Sequence, residues 1–331
     1  KHRLIMTTYK EIKGTNIEVV SDDPSYPVDG QVWFNSTSNT LKGNKGSPVS
    51  AWATVNDLNS GRYGNAGAGT RTAALTFGGN DPTPNPEYTA KTEKWNGTNW
   101  TEVNDLNSYR QYLGGCGSNT AALAFGGNEP PKTDKTETWN GTNWTEVNDM
   151  NVVKEINRGC GTTTAALSYG GFDTDYSAKT ESWNGTNWTE VNDLNTARYG
   201  PGAAGTYTAA LAFGGTTSTT PNVAVTETWN GTNWTEVNDL NTGRDFMGFS
   251  GTTNTEALSF GGNSPNKAVT EEWNGTNWTE VNDLNTARAN CGSSTAGTNT
   301  SALMMGGNGP PLRLPDTESF SGATTVTFTT S

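Results

Sequence analysis

The sequence predicts an all-β fold, a β-propeller of four-stranded blades. Three observations carry this. Gly-Gly pairs close an apolar run at 78, 126, 170, 214, 261 and 306, in steps of 48, 44, 44, 47 and 45. A variable loop follows each pair. Five of the units then continue into a near-constant segment, first seen as Thr92-Glu-Lys-Trp-Asn-Gly-Thr-Asn-Trp-Thr-Glu-Val-Asn-Asp-Leu-Asn107. Each unit holds four short apolar segments, and a period near 45 with that content is the pattern of a propeller blade.

The elements follow in order in the first unit. Residues 64–69 read as strand a, 73–77 as strand b, 92–95 as strand c and 100–103 as strand d. Asn96-Gly97 between Trp95 and Trp100 is a strong hairpin signal, because both residues tolerate positive φ. Strand a is rich in glycine because inner strands crowd about the axis. The tryptophans fall on outer strands, where the wedge between blades widens. The Trp pairs recur at 95/100, 139/144, 183/188, 229/234 and 273/278. In the last unit Phe320 replaces the first and the second is lost. Two closures fit. Residues 30–57 build an atypical first blade of their own, with residues 324–329 as strand d of the last unit, giving seven blades. Alternatively, residues 51–55 complete a six-bladed ring with the C-terminal chain. Seven is favoured. Residues 1–29 are then an N-terminal docking segment, and 58–331 hold six repeats.

The parts Ala121-Ala-Leu-Ala-Phe-Gly-Gly127, Thr136-Glu-Thr-Trp139, Asn143-Trp-Thr-Glu-Val147 and Asn195-Thr-Ala-Arg198 together resemble the kelch repeat. The arginine recurs at 62, 110, 198, 244 and 288; the third unit has Lys154 there, with Arg158 four residues later. A second resemblance spans nearly the whole chain. Met6-Thr-Thr-Tyr-Lys-Glu-Ile-Lys-Gly14 and Gly30-Gln-Val-Trp-Phe-Asn-Ser-Thr-Ser-Asn-Thr-Leu-Lys42 are similar to the start of virion proteins of marine tailed bacteriophages, tail-fibre or surface structural components with the same propeller units. This resemblance implies localisation in the virion and contacts with other virion proteins through the N-terminal segment. It is compatible with a homo-oligomer on the particle.

Composition narrows the function. Lys and Arg number 21 against 33 Asp and Glu, for a net charge of -12. Nucleic acid is not expected as a partner, since phosphate binding needs clustered Lys and Arg. No apolar stretch approaches a membrane span, so no membrane insertion is expected. The first ten residues lack the apolar core of a secretory signal, so the expectation is a chain that is processed or stays outside a signal-dependent pathway. Core burial must come from 12 Trp, 10 Tyr and 10 Phe with many small residues.

No catalytic residue, cofactor or metal is expected. The chain has one histidine, His2, whereas a copper oxidase on this fold needs two. The recurring arginines, and Glu93, Glu137, Glu181, Glu227, Glu271 and Glu318, read as structural, because an active site must break the repeat. Cys116, Cys160 and Cys291 are odd in number and follow the repeat, which argues against a disulfide framework. Binding is expected instead in the b–c loops, which differ in every unit: 80–90, 128–135, 172–179, 216–224, 263–268 and 308–315. Prolines stiffen them, and Tyr88, Phe172 and Tyr176 are candidate ligand-stacking residues. The expected function is that of a non-enzymatic virion protein, used for assembly, surface decoration or attachment to a host glycan or protein. A carbohydrate-active enzyme and a secreted bacterial adhesion module are the alternatives.

Overall fold

The computed structural model describes residues 17–24, 31–44, 50–81, 87–263, 265–309, 313–322 and 325–328. These residues form strands and turns and no helix. They build seven four-stranded sheets, the number favoured from the sequence. Residues 50–322 form one compact unit, and residues 1–49 with 323–331 form another.

Six sheets arise from the repeats. Blade 1 has strand a at Ala66–Thr70, b at Ala73–Phe77, c at Thr92–Trp95 and d at Trp100–Val103, with antiparallel pairing throughout. Strand a thus starts two residues later than the glycine pattern suggests. Blades 2 to 5 repeat the plan, with inner strands Gly114–Gly117, Arg158–Thr162, Gly202–Thr206 and Gly248–Thr253. Blade 6 consists of Gly292–Ser293, Ser301–Met305, Thr317–Ser321 and Ala51–Val55.

That last strand corrects the closure. Residues 324–329 do not complete the final repeat: Ala51–Val55 pairs with Thr317–Ser321, setting Trp52 opposite Phe320. Trp52 supplies the strand-d tryptophan that the sixth repeat lacks. Residues Thr325–Phe328 pair instead with Thr40–Asn44, which pairs with Val32–Asn35, which runs parallel to Glu18–Val20. Residues 30–57 are therefore divided between the two units rather than forming one blade. Of the expected docking segment 1–29, only residues 17–24 lie within the described residues.

The repeat ring closes on itself through six strands, as in the six-bladed alternative. Just before strand a, each blade places one residue in the left-handed region: Gly64, Tyr112, Ile156, Gly200, Phe246 and Asn290, with φ between 51° and 67°. The N–H of each donates to the carbonyl of its counterpart in the preceding blade, at 2.7–3.1 Å. Gly64 donates to Asn290, so the chain of bonds has no end. These six amides form a cycle around the axis.

Farther out, tryptophan ties each blade to the one before it. Trp144 on strand d of blade 2 donates its Nε1–H to Thr92 Oγ1 of blade 1 at 3.0 Å, and its ring meets Phe77 edge-on at 4.8 Å. Trp100, Trp188, Trp234, Trp278 and Trp52 make the same bond to Thr317, Thr136, Thr180, Thr226 and Thr270. At the rim the strand-d end reaches the next blade's c–d turn: Asn104 donates to Asn143 Oδ1 at 2.7 Å. Within that turn Asn140 Oδ1 accepts the amides of Thr142 and Asn143, and Gly141 has φ 95°. The constant Asn-Gly-Thr-Asn sequence is thus used up in folding.

Trp144 is 5% exposed. Replacing it with alanine opens a cavity between two blades and strands the Thr92 hydroxyl. Trp144→Ala should cost about 3–5 kcal/mol in a denaturant melt. A midpoint indistinguishable from the parent would contradict this packing role.

Candidate functional site

The recurring charges come first, because they are the chain's most repeated chemistry. Each d–a connection carries a cation that pairs with the strand-c glutamate of the blade it enters. Arg110–Glu137 and Arg288–Glu318 are 2.9 Å apart, and Arg198–Glu227 and Arg244–Glu271 are 3.1 Å. Arg62 pairs with Glu93 in the same way. All these side chains are buried. The second oxygen of the glutamate accepts from the connection too: Glu137 Oε2 takes the backbone and side-chain N–H of Asn107 at 2.8 and 2.7 Å. The Gly-Gly pair fits beneath: a Cβ on Gly78 would lie 2.7 Å from the Arg110 carbonyl, and Gly79 donates to that carbonyl. Burial lowers the pKa values of Arg62, Arg110, Arg198 and Arg244, and the facing glutamates oppose the shift. The set locks the connections and buries the strand-c glutamates.

Blade 3 departs. Lys154 Nζ lies 3.8 Å from Glu181 Oε1, which receives no hydrogen bond. Burial pushes the Lys154 pKa down to about 8.

The cysteines are free and buried, and burial raises all three thiol pKa values, Cys160 to about 12 and Cys291 to about 11. Such thiols are poor nucleophiles. Among the described residues no three His, Cys, Asp or Glu are grouped to hold a metal ion.

The loop face carries different chemistry. Residues of the d–a connections bridge to b–c loops, Tyr63 with Asn80, Gln111 with Asn128, Glu155 with Phe172 and Tyr199 with Thr216, so both sets share one face. Aromatic rings run across it. Phe172 meets Tyr176 edge-on at 6.0 Å, Tyr176 meets Tyr199 at 5.0 Å, and Tyr199 meets Phe246 at 5.5 Å. Phe246 then meets Tyr112 at 6.0 Å, from the opposite side of the ring, and Tyr112 meets Tyr63 at 6.2 Å. All six rings are half-buried. Cations cap the ends: Lys132 Nζ sits 4.4 Å from the Phe172 centroid, and the Arg313 guanidinium 5.8 Å from that of Tyr63.

The structure brings two of the three expected residues, Phe172 and Tyr176, into contact. Among the described residues Tyr88 joins no ring pair, although its hydroxyl is near enough to raise the Tyr112 pKa. Pro82, Pro84, Pro86, Pro310 and Pro311 lie outside the described residues. Tyr63, Tyr112, Tyr199 and Phe246, absent from the sequence expectation, stand in the d–a connections. The connections are constant only up to the cation, and the next two residues vary from blade to blade: Tyr63-Gly64, Gln111-Tyr112, Glu155-Ile156, Tyr199-Gly200, Asp245-Phe246 and Ala289-Asn290.

No family model matches the chain, and no curated protein matches it.

The weak pair in blade 3 makes a prediction. Lys154→Arg restores the planar fork that fits this slot in five other blades. It should stabilise the protein by about 1–2 kcal/mol at pH 7. Lys154 is charged below about pH 8 when folded, but up to about 10.5 when unfolded. Its burial penalty is therefore fully present below pH 8 and is relieved as pH rises above that. The variant's advantage should shrink between pH 8 and 9.5 in paired thermal melts. A less stable variant, or an advantage that grows over that window, would contradict the reading.

Proposed function

We propose that this chain is a non-catalytic propeller of a phage virion, attaching the particle to a host-surface ligand through the face of its b–c and d–a loops. The observation that carries this is the aromatic track from Phe172 to Tyr63. Its rings come from different blades and different loop positions, so it breaks the repeat on a scaffold that otherwise keeps it. Half-buried Tyr and Phe rings lose little entropy on binding and stack against sugar faces. The opposite face supports no such reading, since its Asn-Gly-Thr-Asn turns spend their polar groups on each other. A virion location rests on the resemblance of residues 6–14 and 30–42 to marine phage structural proteins. Contacts with other virion proteins are assigned on the same ground to the N-terminal segment.

Replacing Tyr88, Phe172 and Tyr176 together with alanine tests the face. Binding to intact host cells or purified host polysaccharide should fall at least tenfold, while the melting temperature moves by no more than about 2 °C, as for partly exposed loop residues. Undiminished binding, with loss instead on substituting Thr98, Thr142 and Thr186, would assign recognition to the other face.

A further inference from the structure

The first residue of strand a is set by its partner at the end of strand b. Ala66 faces Phe77, Gly114 faces Phe125, Arg158 faces Tyr169, Gly202 faces Phe213, Gly248 faces Phe260 and Gly292 faces Met305. Five blades place alanine or glycine at this innermost position. Blade 3 alone sends in a long cationic side chain.

Arg158 is 9% exposed and lines an axial cavity of about 20 Å³ together with Asn65, Cys291, Ser293 and Thr295. Its Nη1 donates to the carbonyl of Asn157 at 3.0 Å. The six connection cations all face glutamates, yet among the described residues Arg158 has no carboxylate within ion-pair distance. The groups that act on it from other blades are the Cys291 thiol, the Tyr112 hydroxyl and Asp245. The first two are held protonated by burial. Asp245 takes the Thr216 hydroxyl on Oδ2 at 2.8 Å and stands beyond contact.

The cavity is rich in donors. Ser293 Oγ accepts from the Phe249 amide at 3.0 Å, which leaves its own proton to give. Thr295 Oγ1 is buried without a partner. Asn65 Oδ1 is also without a partner, and unlike the Thr295 hydroxyl it can only accept. A guanidinium withdrawn from water without a contacting counter-charge costs several kcal/mol. A hole of this size admits about one water-sized occupant, which excludes sulfate, phosphate and organic acids.

We propose that the axial cavity binds a single halide ion, chloride in ordinary media, held by the Arg158 guanidinium and the hydroxyls of Ser293 and Thr295. The ion supplies the negative charge that glutamate supplies in the connections, and it ties blade 3 to blade 6 across the axis. This site is independent of the aromatic face.

The test uses the full chain, refolded and crystallised with sodium bromide as the only halide. Anomalous difference maps at the bromine edge should show one strong peak within hydrogen-bond reach of Arg158. In solution, the wild-type melting temperature should be higher in sodium chloride than in sodium gluconate at equal ionic strength, by about 2 °C when the site is saturated. Arg158→Met, which keeps the stem and removes the charge, should melt equally in both salts. A bromide map empty at Arg158, peaks confined to the surface, or a water bridging Arg158 to Asp245 would overturn the proposal. So would an identical salt response in wild type and variant. Should Arg158→Met fail to fold, the wild-type bromide map decides alone.

Discussion

Six backbone hydrogen bonds around the axis are the constraint on which this propeller depends. Each joins the amide of one left-handed residue to the carbonyl of its counterpart in the preceding blade, from Gly64 round to Asn290 and back. The cycle forces a φ near 60° on every member. Glycine and asparagine meet that demand cheaply. Tyr112, Ile156 and Phe246 do not, and for the β-branched Ile156 the conformation is a genuine outlier. Residues held in such regions cost about 1–3 kcal/mol each and persist only where their surroundings fix them. Here the surroundings are the other five members and the buried cation of each connection.

Outward from that cycle the structure repeats itself in layers. The buried ion pairs fix where each connection enters its blade. The strand-d tryptophans bind each blade to the one before. The asparagines of the c–d turns join neighbouring rims. Each layer needs the same residue type in every blade, which is why five units keep one sequence from Thr92 to Asn107. Whatever lies outside the layers is free to differ. The b–c loops and the first residue after each cation are outside them, the second residue is held by its backbone alone with its side chain free to vary, and at these positions the aromatic rings accumulate. Arg158 is the same freedom exercised inside the ring, at a position where the other blades leave room.

Most of the repeat unit was legible. Strands b, c and d of blade 1 fall where the alternation and the Asn-Gly turn place them, because the forces that set them are local. Closure was not legible in the same way. Residues 51–55 and 324–329 are both short segments able to pair at an edge, and no local pattern ranks partners so far apart in sequence. The decisive clue was chemical: the sixth repeat lacks its second tryptophan, and Trp52 fits the Thr270 hydroxyl that waits for one. The candidate face was half legible. Phe172 and Tyr176 stand out in a loop, whereas Tyr112 and Phe246 approach from opposite sides of the ring and become neighbours only once it closes.

Hydrogen exchange of the six axial amides tests this account most directly. If the cycle holds the ring together, the amides of Gly64, Tyr112, Ile156, Gly200, Phe246 and Asn290 open only with global unfolding and share one slow rate. If Gly64 exchanges early while the other five stay protected, the ring is open at the junction of the first and last blades, and the account is wrong.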